Sequence, residues 1–353
     1  MTEKIIVAMS GGVDSSTAAA LLHQQGHCVE GFTMILPRYD ASGHEMRNGS
    51  AGATDAELVA EQIGIPLHVL DLRERFTETV LAYFEASYAE GRTPNPCARC
   101  NEWIKFGALQ DEALERGADA LATGHYVRRV RDEDTGNWML ARSPASTDQT
   151  YFLAGLSPEQ IERARFPVGE LSKEAVRETA RSLSLAVHDK SDSQDLCFLP
   201  AGGYRHYLRK RCPEAFEPGP LVHVGGREVG RHEGLPSYTI GQRRGLGIAW
   251  HEPLYVVGFE PDENAVIVGE REHLDARELE LQDVNWLPAE PEEPVRLRVK
   301  IRYNHPGAMA EVHPLDGARA RVVFDKPQLA PCPGQAAAFY KGDLVRGGGT
   351  IDE

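Results

Sequence analysis

The sequence of 353 residues has no run of about 18 apolar residues, so no membrane-spanning helix is expected. Positive charge is scarce: 38 Lys and Arg stand against 53 Asp and Glu, a formal net charge of −15. That balance excludes a protein that gathers polyanions by overall charge and leaves only local basic faces for the purpose. Cysteine is sparse too. Six in the whole chain cannot make a disulfide scaffold, and in a reducing compartment such residues serve in the core, as metal ligands or in catalysis. Internal repeats and low-complexity tracts are missing. Met1-Thr2-Glu3-Lys4 carries an acid and runs straight into an apolar strand with no signal-peptide core, which points to the cytoplasm. What remains, 41% hydrophobic and 26% charged residues, excludes disordered and fibrous classes.

Residues 1–203 alternate strand and helix signals. Ile5–Met9, Val29–Met34, Leu67–Leu70 and Ala120–Thr123 read as short buried parallel strands. Helical patterns lie between them: Ser15–Gln25 ending at Gly26, a segment opened by a Thr54-x-x-Glu57 capping box and ending at Gly64, and one carrying Trp103, Phe106, Leu109 and Ala113. The alternation predicts an α/β fold with a doubly wound parallel sheet, whose ligands bind beyond the carboxyl ends of the strands. From residue 204 Gly and Pro multiply and short strands take over, among them Leu254–Phe259, Ala265–Val268, Val295–Tyr303, Ala318–Phe324 and Ala336–Tyr340. We therefore expect a domain over 1–203, a small central domain over 204–280 and a mostly-β domain over 281–353, with 287–294 a stiff acidic connector.

Ser10-Gly11-Gly12-Val13-Asp14-Ser15-Ser16 joins the first strand to the first helix. Glycines let backbone approach a phosphate, and the helix start supplies free N–H groups and a positive dipole end. No Lys follows the glycines, so this is not a Walker A loop. The bland alternative is a simple cap after a glycine turn. The string matches the PP-loop, SGGxDS, of ATP pyrophosphatases, which cut ATP between its α and β phosphates and adenylate a substrate oxygen.

Cys97-Ala98-Arg99-Cys100 follows Pro94-Asn95-Pro96, and Cys197 lies in the polar stretch 192–198. The prolines predict an irregular approach with helix beginning near Asn101, whose N-terminus would stabilise a thiolate. These cysteines could instead be half of a zinc site completed by Cys197 and a His or Cys212, a redox pair, or buried thiols. Cys28 reads as strand core. Cys212 and Cys332 carry no assignment.

The loop 10–16 combines with 91–101, Ala122-Thr123-Gly124-His125-Tyr126, 148–153, 166–171, 192–198, 239–247 and Pro333-Gly334-Gln335 across nearly the whole chain. In that order these stretches resemble the tRNA-specific 2-thiouridylase (MnmA/TrmU) family. The resemblance implies a PP-loop ATP pyrophosphatase domain followed by central and C-terminal β-barrel domains. It implies that the 2-oxygen of the wobble uridine in tRNAs for Lys, Glu and Gln is adenylated by ATP with Mg2+ and then replaced by sulfur from a persulfide. By motif position, Ala8, Met9, Ser10, Gly11, Gly12, Val13, Asp14, Ser15, Met34 and Gly124 would hold ATP. Asn95, Pro96 and Cys97 would face the target base. His125, Thr147, Asp148, Gln149, Arg302, Tyr303 and Gln335 would touch tRNA. Cys100 corresponds to the nucleophile and Cys197 to the persulfide carrier. The sulfur donor would be a cysteine desulfurase, a relay protein or inorganic sulfide. Many members have Asp at the position of Cys97. The Cys form resembles related tRNA thiolases in which three cysteines hold a 4Fe–4S cluster, here Cys97, Cys100 and Cys197.

RNA contact needs local cations. Arg296, Arg298, Lys300 and Arg302 alternate with apolar residues and are expected on one strand face. Arg205, Arg209, Lys210 and Arg211 lie near Tyr204 and Tyr207, and Arg128, Arg129 and Arg131 follow His125. Each patch alone could be an ordinary solvated face. Two rivals stay open: another PP-loop ligase that needs no paired cysteines, and a non-catalytic tRNA-binding module with zinc at the cysteine pair.

Overall fold

A computed structural model describes residues 2–40, 44–46, 51–133, 135–145, 147–191, 196–200 and 202–352. Strand β1 (Lys4–Ala8) has Ile5, Ile6 and Val7 fully buried and leads through the glycine loop into α1 (Val13–Gln24), which buries Val13, Ala18, Ala19, Ala20 and Leu22. Gly26, at φ +83°, ends that helix where a residue with a Cβ would be strained. Then come β2 (Cys28–Ile35), α2 (Ala51–Ile63), β3 (Leu67–Asp71), β4 (Ala120–Ala122), the hairpin β5 (Val127–Arg131) and β6 (Trp138–Arg142), and β7 (Ala164–Arg165). Strands β3-β2-β1-β4-β7 form one parallel sheet in that order. The chain leaves β1 toward β2 on one side and returns to β4 on the other. The switch point between β1 and β4 is where such a sheet opens a crevice.

Two local expectations fail here. Thr54 lies inside α2, which starts three residues earlier, so it is not the cap. Cys28 is exposed and is the first residue of β2; burial begins at Val29.

The second half is β-rich. Strands β8 (Gly219–His223), β9 (Glu228–His232), β10 (Tyr255–Glu260) and β11 (Ala265–Gly269) make a four-stranded sheet in the order β10-β11-β8-β9. Strands β12 (Asp275–Trp286), β13 (Val295–Lys300), β14 (Ala308–Leu315), β15 (Arg319–Leu329), β16 (Ala336–Lys341) and β17 (Leu344–Ile351) run β12-β15-β14-β13-β16-β17, and a β12–β17 pairing closes them into a six-stranded barrel. Leu281, Val299, Val312, Val322 and Phe339 fill it. The hairpin β5–β6 adds to this sheet through Ala141 opposite Leu344, tying the first half of the chain to the barrel. Strand β13 ends at Lys300, so Arg302 and Tyr303 sit in the following turn rather than continuing the alternation. Among the strand's cations, Arg296 is neutralised by a two-pronged pairing with Asp325 at 2.7 and 2.8 Å.

Candidate active site

The loop after β1 sits at the switch point. Gly11 adopts φ +69°, and Ser10 Oγ and Ser15 Oγ approach to 3.2 Å across the turn. Ala8 and Met9 lead in, Gly12 caps α1 with extended backbone and no side-chain cap, and Val13 is its first residue. The N–H groups at the start of α1 are thus left to a ligand. Ser16 Oγ and Thr17 Oγ1 are buried with no hydrogen-bond partner among the described residues. Met34 is partly buried near the end of β2. Gly124, after β4, packs so tightly on α1 that a Cβ there would lie 2.6 Å from Ser15 N and 2.7 Å from Asp14 C. An orphaned hydroxyl, free N–H groups and a glycine-lined cradle are what a triphosphate needs.

Two lysines that the motif does not contain reach this loop. Lys173, the first residue of α5 (Lys173–Ser182), puts Nζ 2.8 Å from both oxygens of Asp14, and Tyr126 OH donates to Asp14 at 2.7 Å. Lys190 Nζ donates to Gly11 O at 2.8 Å and pairs with Asp55. Neither lysine has a local spacing signal, since 159 and 179 residues separate them from their partners.

The cysteine segment is helical earlier than its prolines predict. Helix α3 (Pro96–Arg99) is capped by Asn95, whose Oδ1 accepts from Ala98 N at 3.1 Å. Pro96 occupies the first helical position, where its missing N–H costs nothing. The helix continues as a wide π-helical stretch, Cys100–Ala108, broken by a kink at Gly107, and resumes as α4 (Leu109–Glu115). Cys97 and Cys100, three apart, therefore share one face. Cys100 is buried in a cluster with Phe84, Phe198 and Tyr207, while Cys97 and Cys197 reach the surface. Residues 192–195 of the third motif lie outside the described residues. The charge of Cys197 acts on both Cys97 and Cys100, so the three share one neighbourhood, although their sulfurs do not all lie within 4.8 Å of one another.

Desolvation opposes the expected stabilisation of a thiolate by the helix start. Crowding by neighbouring groups is the largest influence on all three thiols and pushes each up, Cys100 to about 12, even though Cys97 and Cys197 open to the surface. Lys105 works against burial at all three. Its Nζ donates to Asn101 Oδ1 at 2.9 Å, and Asn101 Nδ2 donates to Phe152 O at 3.1 Å. His125, next to Gly124, lies among Phe106 and Phe166, and burial, then Lys105, hold its pKa well below the usual range. Thr123 Oγ1 lies 2.8 Å from His125 Nδ1.

The barrel closes the far side. Arg99 pairs with Glu102 at 2.9 Å and with Asp283, bonds Thr350 Oγ1 at 3.0 Å, and stacks over Tyr83 and Trp103. Gln335 donates to Thr93 O at 3.0 Å and Pro94 O at 3.3 Å, bracing the chain before Asn95. Asp148 is buried and receives Ser143 N, Thr150 N and Thr150 Oγ1; Gln149 Oε1 receives Tyr126 N. Thr147 Oγ1 is buried with no hydrogen-bond partner among the described residues. Arg302 donates to Leu329 O, and half-exposed Tyr303 lies over Phe152 with centroids 4.8 Å apart.

Three family models match consecutive stretches: a tRNA methyl transferase HUP domain at residues 3–201, a tRNA methyl transferase PRC-barrel domain at 205–270 and an aminomethyltransferase beta-barrel domain at 276–351. A 4-thiouridine synthetase solved with RNA and bound ATP is 18% identical, covering 60% of this chain and 51% of its own, with a TM-score of 0.36. The tRNA-specific 2-thiouridylase MnmA of Moorella thermoacetica is 47% identical over 352 residues, 98% of this chain and 99% of its own. That of Syntrophotalea carbinolica is 49% identical over 348 residues, 98% of each chain. Matched from end to end by such relatives, this chain belongs to the tRNA-specific 2-thiouridylase family.

Proposed function

We propose that this protein uses ATP to replace the 2-oxygen of the wobble uridine in tRNAs for Lys, Glu and Gln by sulfur. The observation that carries this reading is the continuity of the site. Gly124 touches the phosphate loop, and the ring of the adjoining His125 lies 6.1 Å from that of Phe106, in the helical stretch that opens with Cys100. This proximity supports a reading in which nucleotide and sulfur chemistry share one crevice.

The uridine 2-oxygen attacks the α phosphate and pyrophosphate leaves. The N–H groups at the start of α1 and the lysines at 173 and 190 receive its charge. Sulfur then attacks C2, and AMP departs with the oxygen. Mg2+ bound with ATP would supply further neutralisation of the phosphate charge, while Lys173 takes both oxygens of Asp14. The base leaves its stack to reach the crevice, with Asn95, Pro96 and Cys97 at its edge and the Tyr303–Phe152 shelf offering an aromatic face. His125, Thr147–Gln149, Arg302 and Gln335 border the tRNA path.

Cys100 and Cys197 carry the sulfur step. A neutral thiol buried as Cys100 is needs a partner that favours its thiolate, and three soft donors in one neighbourhood suit a 4Fe–4S cluster, which Cys97, Cys100 and Cys197 would hold. Such a cluster would supply a site that binds sulfide. Without it, Cys197 bears a persulfide received from a donor protein; its outer sulfur bonds to C2 as AMP leaves, and Cys100 then attacks the Cys197 sulfur, releasing 2-thiouridine and leaving a Cys100–Cys197 disulfide that an external thiol reduces. The sulfur comes from a cysteine desulfurase or a relay protein, or, in the cluster route alone, from inorganic sulfide. Residues 1–203 form the adenylating and thiolating unit, 204–280 the central unit and 281–353 the barrel that meets tRNA. We place the protein in the cytoplasm, where tRNA, ATP and reduced thiols coexist.

The test is anaerobic incubation with unmodified tRNA, ATP and sulfide, followed by mercury-gel mobility and nucleoside mass analysis. ATP-dependent 2-thiouridine at the wobble position is expected. A product that forms equally without ATP, or methyl incorporation from S-adenosylmethionine in its place, would refute the reading.

A further inference from the structure

Helix α6 (Gly203–Arg211) has two faces of different character. Tyr207 and Leu208 are 0% and 1% exposed and pack in the same aromatic cluster as Cys100 and Phe198. Arg205 and Arg209, four residues apart, stand on the exposed side. With Arg231 and Arg244 they line a groove of about 630 Å³ between this helix and the turn that follows Tyr238. Glu233 is the only carboxylate among its described lining residues, so four cations face one anion in a chain whose overall charge is −15.

These arginines are held but not neutralised. Arg205 rests on Tyr204, its Nε 3.2 Å from the phenol oxygen. Arg209 lies over Phe216 at 4.6 Å and meets Glu233 at 3.3 Å. Arg231 reaches Pro218 O at 3.4 Å and stands 3.9 Å from Glu228. The guanidinium of Arg244 has no partner among the described residues. Ser237, also in the lining, keeps its hydroxyl beneath the surface with no hydrogen-bond partner among the described residues. Planar guanidinium forks suit phosphate oxygens, and the groove is too large for one small anion.

We infer that this groove is a second RNA-backbone site, in the central part of the chain, that grips phosphates of the tRNA away from the target base. The inference rests on the tRNA reading above. An RNA strand is favoured over an acidic protein surface because Arg205 and Arg209 repeat along the exposed face of α6, while the opposite face of the same helix packs in the cluster that holds Cys100. Backbone gripped there would lie across α6 from that cysteine.

The experiment uses the full chain with the double variant R205Q/R244Q, both residues being exposed and outside the crevice. Filter binding of unmodified tRNA is followed over a salt series, with ATP binding as a control for folding. The variant should bind about tenfold more weakly at moderate salt, with a salt slope shallower by about 1.5, equally for cognate and non-cognate tRNAs. R205K/R244K should recover most of the slope, since Lys keeps the charge. Wild-type binding with an unchanged variant affinity and slope would overturn the groove assignment alone. Wild type that binds no tRNA at all would instead bring down the functional reading on which it rests. Normal tRNA binding with loss of sulfur uptake from a donor protein, while sulfide still works, would reassign the groove to that protein.

Discussion

The ammonium of Lys173 lies 2.8 Å from each carboxylate oxygen of Asp14. This pair unites the first residue of α5 with the first turn of α1, and it delivers to the glycine loop the cation that the loop itself lacks. In a Walker A loop that cation is built into the motif; here the fold supplies it from elsewhere in the chain.

Lys173→Met should reduce ATP-dependent pyrophosphate release by about 10²–10³, the scale for loss of one preorganised charge at a reacting phosphate. Asp14→Ala should be as severe, because it frees Lys173 and removes the acceptor for Tyr126. Lys173→Arg should retain more activity than Lys173→Met. Pyrophosphate release within threefold of wild type in Lys173→Met would remove the lysine from the adenylation step.

Cys97→Asp separates the two sulfur mechanisms. If the three cysteines hold a cluster, a hard carboxylate is a poor substitute for a soft thiolate, and both iron and activity should fall. We expect that loss, read by iron and acid-labile sulfide analysis after anaerobic reconstitution. An iron-free, fully active variant would point to the persulfide route. Cys197→Ser should be inactive either way.

His125 predicts a pH effect on stability. Burial, then the charge of Lys105, hold its folded pKa well below the ordinary value of about 6.5. In the unfolded chain the ring takes up a proton as pH drops through that ordinary value, while the folded ring stays neutral. The stability it confers is therefore complete above about pH 6.5 and declines as pH falls below it. The urea midpoint of wild type should drop between pH 7.5 and 5.5, and that of His125→Gln should drop less. Equal drops in the two proteins would mean His125 is not the group responsible.

Arg99→Ala should loosen the barrel from the cysteine helix. The guanidinium is only 11% exposed and bridges Glu102, Asp283 and Thr350 while stacking on two rings. Its removal should destabilise the chain by about 1–3 kcal/mol, the scale for buried charge-assisted hydrogen bonds, and speed alkylation of Cys100. An unchanged denaturation midpoint and alkylation rate would show that the clamp contributes nothing.

The sequence by itself determined the parallel sheet, the phosphate loop and the three cysteines, because each depends on neighbours a few residues away. Glycine before a helix start, apolar runs of strand length and a Cys pair three apart all act through local backbone geometry. Even there, short-range rules competed: Pro96 argued against helix yet occupies a first turn, and Arg302 fits the alternation of β13 but falls past its end. Only the tertiary structure decided which charges serve the site. Lys173 and Lys190 come to the phosphate loop from 159 and 179 residues away. Cys197 is drawn toward the cysteine helix because Phe198, its neighbour in sequence, packs in the cluster that holds Cys100. The protonation of those thiols was likewise beyond local reading. A helix N-terminus favours a thiolate, but desolvation at a buried sulfur outweighs it, and burial is a property of everything packed around the residue.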